Sequence, residues 1–251
     1  MLAVVGEPAA GQGTVKGMAL CDLDHVVVVV EDLDEAATTF ENLGFLVTPR
    51  SDHPFGTSNR LVVLDGSYLE LVTVTRADDV PADGFARSVA DDLAEGRLGP
   101  SLLALRSSDP RADHARLSQA RIPVAPILHF GREASLPDGT SRRVEFEVVF
   151  PTSTPDGPIL FLCHHLDPEI IWDPRFLAHP NGARGVHSVR LREPGPAWWE
   201  RLAAMGAGAT ADSPTGEVRI FVGPSEILIG AEEAASATVA ETAVTLVPTD
   251  S

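Results

Sequence analysis

The sequence predicts an α+β fold assembled from repeated βαβββ modules. Three observations predict it. A Val-rich apolar run is followed by a capped amphipathic helix and then by further strands. The same order recurs twice more along the chain. An Asp-Gly turn precedes an apolar closing strand in each of the first two copies, "DGSYLELV" and "DGPILFLC". At 251 residues the chain can bury a substantial core, in one large domain or two small ones.

The first module spans residues 22–75. Residues 24–30, "DHVVVVV", form its first strand. Asp32 stands as an N-cap with Glu35 three residues on, a capping-box variant. Leu33, Ala36, Ala37, Phe40 and Leu43 follow at helical spacing, and Gly44 ends the helix in the left-handed position. "FLVTP", "NRLVVLD" and "SYLELVTV" read as the three remaining strands, the last two joined by the Asp65-Gly66 turn.

The second module spans 100–166. "SLLALRS" is its first strand, and Asp109-Pro110 caps a short Ala-based helix that ends near Ala120. "VAPILHF", "RRVEFEVVF" and "ILFLCHH" complete it. The third, shorter module spans 185–231: "VHSVRL", then "PAWWERLAAM" with Trp198, Leu202 and Met205 on one stripe, then "EVRIFVG" and "EILIGA". Residues 1–21 are a loose extension, 76–99 and 167–184 are connectors, and 232–251 is a tail that adds an edge strand or frays. One such module leaves a sheet face uncovered, and pairing two modules covers it.

The formal charge of −17 disfavours phosphate backbones and anionic membranes as partners. No apolar run approaches the roughly 20 residues of a membrane helix. The start lacks the pattern of a signal peptide. Cys21 and Cys163 are too few for a disulfide framework. The expectation is a cytoplasmic chain that acts on a small molecule. Walker, nucleophile-elbow and dinucleotide motifs are absent from the sequence.

Side chains alternate along a strand. His25 shares its face with Val27 and Val29, and Glu70 shares its face with Tyr68, Val72 and Val74. A carboxylate in an apolar row needs a cation or strong donors. Either the two groups bond to each other or to backbone, or a metal holds both, since imidazole nitrogen and carboxylate oxygen suit Zn, Fe, Mn or Ni.

The repeat, with "LDHVVVVVEDLDEA", "HPFGTSNRLVVLDGSYLELV" and "LAHPNGARGVHSVRL", resembles the glyoxalase-like branch of the vicinal oxygen chelate superfamily. The resemblance covers residues 22 to about 231. It implies that two modules form a cupped, incomplete β-barrel with helices outside, often with a divalent metal in the cup. It places His25 and Glu70 at ligand positions. Aligning the closing strands puts Phe161 opposite Glu70, so a third ligand is sought just beyond, at His165, in phase with Phe161. His164 points the other way. His187 aligns with His25 but lacks a carboxylate partner, so the third module reads as structural or dimerising, with Trp198 and Trp199 as a test of a homodimer.

The loop "DHPFGTSNR" offers His53, Thr57, Asn59 and Arg60 as groups that either orient a polar substrate or tie the loop together. His179, in the "HPNG" turn, either reaches the cup or joins modules. The expected function is a metal-dependent lyase, isomerase or dioxygenase acting on a small oxygen-bearing substrate. The alternative is a metal-free small-molecule binding protein of the same fold.

Overall fold

A computed structural model describes residues 3–4, 21–136, 138–152, 157–192, 194–206, 210–212, 218–222, 225–230 and 243–248. In chain order the strands are β1 (Ala3–Val4), β2 (Leu23–Val29), β3 (Ser51–Asp52), β4 (Thr57–Leu64), β5 (Ser67–Val74), β6 (Gly99–Arg106), β7 (Leu128–Ser135), β8 (Ser141–Val149) and β9 (Ile159–His165). They continue with β10 (Ala183–Arg192), β11 (Thr210–Asp212), β12 (Val218–Val222), β13 (Ser225–Gly230) and β14 (Ala243–Pro248). The helices are α1 (Leu33–Asn42), α2 (Phe85–Ala94), α3 (Pro110–Gln119), α4 (Pro168–Ile171) and α5 (Pro196–Ala204).

Eight strands form one nearly closed, barrel-shaped sheet in the order β3-β4-β5-β2-β6-β9-β8-β7. Its two halves are copies of one pattern. Strand β2 pairs in parallel with β5, and β6 pairs in parallel with β9. The first strands of the two copies, β2 and β6, join antiparallel at the centre. The remaining strands form a second sheet, β1-β14-β10-β13-β12-β11, in which β10 and β13 repeat the parallel pairing.

The period of two decides what each sheet face covers. Val26, Val28, Leu69, Leu71, Leu103 and Leu160 point outward. They pack under α1 and α3, and the same apolar cluster runs on into α5 and the second sheet. The opposite face, with Val27, Val29, Val72, Leu102, Phe146 and Phe161, lines the inside of the barrel.

The local signals act as expected at most elements. Asp32 caps α1 by accepting from the N–H groups of Asp34 and Glu35, and Asp109 caps α3 in the same way. Gly44 follows α1 at φ +83°. "FLVTP" is a correction: residues 45–49 are not a strand, and the short β3 at Ser51–Asp52 takes that place. Thr48 explains it, because its N–H reaches the Leu61 carbonyl while its hydroxyl accepts from the Leu61 N–H, consuming both ladder positions locally. Residues 76–99 carry the helix α2, which lies against β5 and covers the open side of the cup. Trp198 is fully buried and donates to the Pro158 carbonyl at 2.9 Å, so it anchors α5 inside this chain.

Candidate functional site

The inside of the barrel holds a cavity of about 540 Å³. The polar groups of its lining include His25, His53, Asn59, Tyr68, Glu70 and Arg132, and α2 adds Arg87, Ser88 and Asp91. Its apolar walls are rich in phenylalanine, among them Phe55, Phe85, Phe130, Phe146 and Phe161. A cavity of this size with few converging polar groups is the usual form of a small-molecule site.

His25 and Glu70 meet there. The register sets His25 opposite Tyr68 and Val27 opposite Glu70, which puts both side chains on the inner face one residue pair apart. His25 Nε2 lies 3.6 Å from Glu70 Oε2, and both residues are buried. The His25 ring stacks on Tyr68 with centroids 4.4 Å apart.

Asp24 completes this group, and alternation along a strand hid it. On β2, Leu23 pairs with Leu105 and His25 with Ala104, so Asp24 is an extra residue with no partner across the ladder. The bulge turns the Asp24 and His25 side chains to the same side. Asp24 Oδ1 lies 2.7 Å from His25 Nδ1 and 2.8 Å from His165 Nε2, while Arg106 Nε donates to Oδ2 at 3.0 Å. Burial pushes the Asp24 carboxyl up, but the adjacent His165 and His25 outweigh it and hold the group well below the usual carboxylate range.

The loop residues divide into two sets. His53, in the loop before β4, and Thr57 and Asn59 on β4 are buried. His53 Nδ1 lies 2.8 Å from the Thr57 hydroxyl, and its Nε2 lies 3.6 Å from Glu70 Oε1. Asn59 Nδ2 donates to Glu70 Oε1 at 2.7 Å, leaving its own Oδ1 buried and without a partner. Desolvation, helped by the positive charge of Arg132, holds the His53 pKa well below its ordinary value. Arg60, on the other hand, faces α1, donating to Asp34 and to the Thr48 carbonyl.

Of the remaining expected residues, His165 is in phase with Phe161 and Cys163, but its Nε2 is directed at Asp24. His164 turns outward, with Nδ1 2.9 Å from the Ser107 carbonyl. His179 sits between modules: Leu46 N–H donates to its Nδ1 at 2.9 Å, and its Nε2 lies 2.7 Å from the Val63 carbonyl.

The donor set fits a divalent ion. Bonds of about 2.0–2.2 Å to nitrogen and oxygen span ligand atoms up to about 4 Å apart, and the His25–Glu70 separation of 3.6 Å falls within that. The orphaned Asn59 oxygen beside Glu70 is a further acceptor without a donor. Asp24, His25, Cys163 and His165 also bring one ligand atom each within 4.8 Å of one another. There, however, Asp24 Oδ1 already takes short hydrogen bonds from two rings, Arg106 adds a positive charge, and burial pushes the Cys163 thiol up. That group suits a support around His25 better than an ion of its own.

Sequence reasoning missed Arg132, Cys163 and the phenylalanine lining. Arg132 was readable in principle, because in "FGREA" it is in phase with Phe130 and Ala134 on β7.

A cupped barrel made from two βαβββ halves, with an imidazole–carboxylate pair inside, defines the vicinal oxygen chelate class. The family model "Glyoxalase-like domain" matches residues 23–206, and the chain belongs to that family. Among solved structures, a hypothetical protein from Staphylococcus aureus is 12% identical, with 84% of this chain and 86% of that chain covered at TM-score 0.67. A variant of Streptomyces coelicolor methylmalonyl-CoA epimerase, in complex with 2-nitronate-propionyl-CoA, is 21% identical, covering 59% and 96% at TM-score 0.44. Methylmalonyl-CoA epimerase from Mycobacterium tuberculosis is 16% identical, covering 60% and 92% at TM-score 0.42. No curated protein matches the chain. Among the described residues no helix is long and apolar enough to cross a membrane.

Proposed function

We propose that the chain is a lyase or isomerase that moves a proton on a small oxygen-bearing substrate held in the barrel cavity. His25 and Glu70 would hold a divalent metal, and the unpartnered Asn59 Oδ1 would assist. The metal, when bound, would polarise a substrate oxygen and favour the oxyanion that forms as the proton leaves. Asp24 fixes the His25 ring by accepting from Nδ1–H, which leaves Nε2 bare toward the cavity. His165, proposed from the sequence as a third ligand, would act by holding Asp24 in place. His53 is the proton carrier: its Nδ1 is tied to Thr57, burial keeps the ring neutral, and Nε2, which accepts from Asn59 Nδ2 at 3.2 Å, lies at the cavity wall. The aromatic walls keep water from the reacting carbon.

The observation that carries this reading is the 3.6 Å approach of His25 Nε2 to Glu70 Oε2 inside the cavity, with the opposite ring nitrogen on a buried carboxylate. Metal analysis of protein purified without an affinity tag tests it. About one ion per chain is expected, lost in both His25→Ala and Glu70→Gln while the thermal melt stays cooperative. Absence of metal from the well-folded wild type would instead support the metal-free binding protein, a reading that the phenylalanine lining favours.

A further inference from the structure

Arg132 is an unsatisfied cation facing the cavity. It is only 6% exposed. It lines the cavity with His25, Glu70 and Phe146, and its guanidinium carbon stands 5.6 Å from the Phe146 ring centroid. Among the described residues it makes no hydrogen bond or ion pair; Glu70 acts on it only through the electrostatic field. A buried guanidinium presents five donors in a fixed fork and cannot shed its proton. Leaving those donors unpaired is costly, so such a group marks the place of an anion.

We propose that Arg132 anchors the carboxylate of the substrate, and that the substrate class is monocarboxylates with an aromatic or bulky apolar body. The carboxylate matches the guanidinium fork in a bidentate pair. Charge selects it over a phosphate: one guanidinium offsets one negative charge, and the Glu70 carboxylate nearby disfavours a dianion. The body lies along Phe130, Phe146 and Phe161, whose rings line the same space. This placement deepens the proposed function, because it brings the carbon next to the carboxylate toward His25, Glu70 and His53.

Calorimetric binding of arylalkyl carboxylates, from phenylacetate to 4-phenylbutyrate, each against its neutral amide, tests the proposal on the full chain. In the wild type at least one acid is expected to bind tenfold or more tightly than its amide. Arg132→Met abolishes that preference, and Arg132→Lys retains part of it. Without ligand, Arg132→Met melts no lower than the wild type, since it removes an unpaired buried charge. Equal binding of acid and amide, no binding of either, or an acid preference that survives in Arg132→Met overturns the proposal. A marked drop in the melting temperature of Arg132→Met overturns it too, by showing that Arg132 serves the fold. Repeating the titration with EDTA-treated His25→Ala separates the two readings. Acid preference there, without metal in the wild type, sustains the anchor while the metal reading fails.

Discussion

The carboxylate of Asp24 stands 2.7 Å from the Nδ1 atom of its own chain neighbour, His25. Regular pleating would put these side chains on opposite sides of the sheet. The bulge at Asp24 joins them, and a second imidazole, His165, closes on the same oxygen at 2.8 Å. The group at the heart of the site is therefore built by an irregularity in one strand.

Asp24→Asn should keep the fold but weaken the hold on the His25 ring. Outer-sphere carboxylates of this kind change metal affinity about 10–100-fold, and a loss in that range is expected in a metal titration. Asp24→Ala goes further, because it leaves Arg106 and two imidazoles without their anion. Urea unfolding should show a loss of about 3–5 kcal/mol. Unchanged metal affinity in Asp24→Asn would remove Asp24 from the site.

His179 predicts how stability depends on pH. Desolvation lowers its pKa below the ordinary histidine value, although the Val63 carbonyl and Asp65 oppose the shift. Protonating Nδ1 would also break the bond from the Leu46 N–H. A depressed histidine contributes stability that is complete above the unfolded pKa of about 6.5 and is lost as the pH falls toward the folded value. The unfolding free energy should therefore be flat from pH 8 to 7 and fall below about pH 6.5. His53, depressed more strongly, acts in the same direction. His179→Gln should make the acid-side slope shallower without abolishing it, and an unchanged slope would show that His179 does not report on folding.

Gly56 holds the His53 loop in place. Its φ is +89°, and a Cβ there would come 2.4 Å from the Arg76 carbonyl. Its own carbonyl accepts from the Thr75 and Arg76 N–H groups. Gly56→Ala must adopt a left-handed backbone and move the Arg76 carbonyl, so a loss of at least about 2 kcal/mol is expected on chemical denaturation. Loss of substrate or metal binding should accompany it, because Arg76 also donates to the His53 carbonyl.

Trp198→Ala should cost about 3–5 kcal/mol, as large core truncations do, and should leave the Pro158 carbonyl without its donor. The oligomeric state by light scattering should be the same as that of the wild type at temperatures where both are folded. A change of oligomer with little loss of stability would restore the third module as an interface.

Much of the fold was legible because its signals are local. Strand β8 follows from a period-two run, β4, β5 and β9 from short apolar runs bounded by turns, and α1 and α3 from their Asp caps. The Val-rich β2 and its partner β5 have apolar residues on both faces because the barrel is covered on both sides. Helix α2 was not legible: its short apolar stripe lies in a segment that repeats nowhere else in the chain, and it is ordered by what it covers. The approach of His25 to Glu70 followed from alternation once their strands paired. Asp24 escaped the same rule because a bulge appears only in the register between two strands. Arg60 and His179 shared the polarity of their neighbours, and tertiary packing assigned them to the α1 surface and the module junction.

The bulge has one further consequence. Between Leu23 and Val27, strand β2 is longer by one residue than the Leu102–Leu105 stretch of β6 that it faces, and that residue is Asp24. Leu23 already belongs to the outer cluster and His25 to the inner wall, so an in-frame deletion of codon 24 would leave the two in ordinary succession. The ladder would become more regular while the cup lost its hidden acid. Divergence by loss of a single residue could thus retire the chemistry and spare the architecture, and relatives of this chain are best sorted by the length of this strand segment before the identity of any histidine is compared.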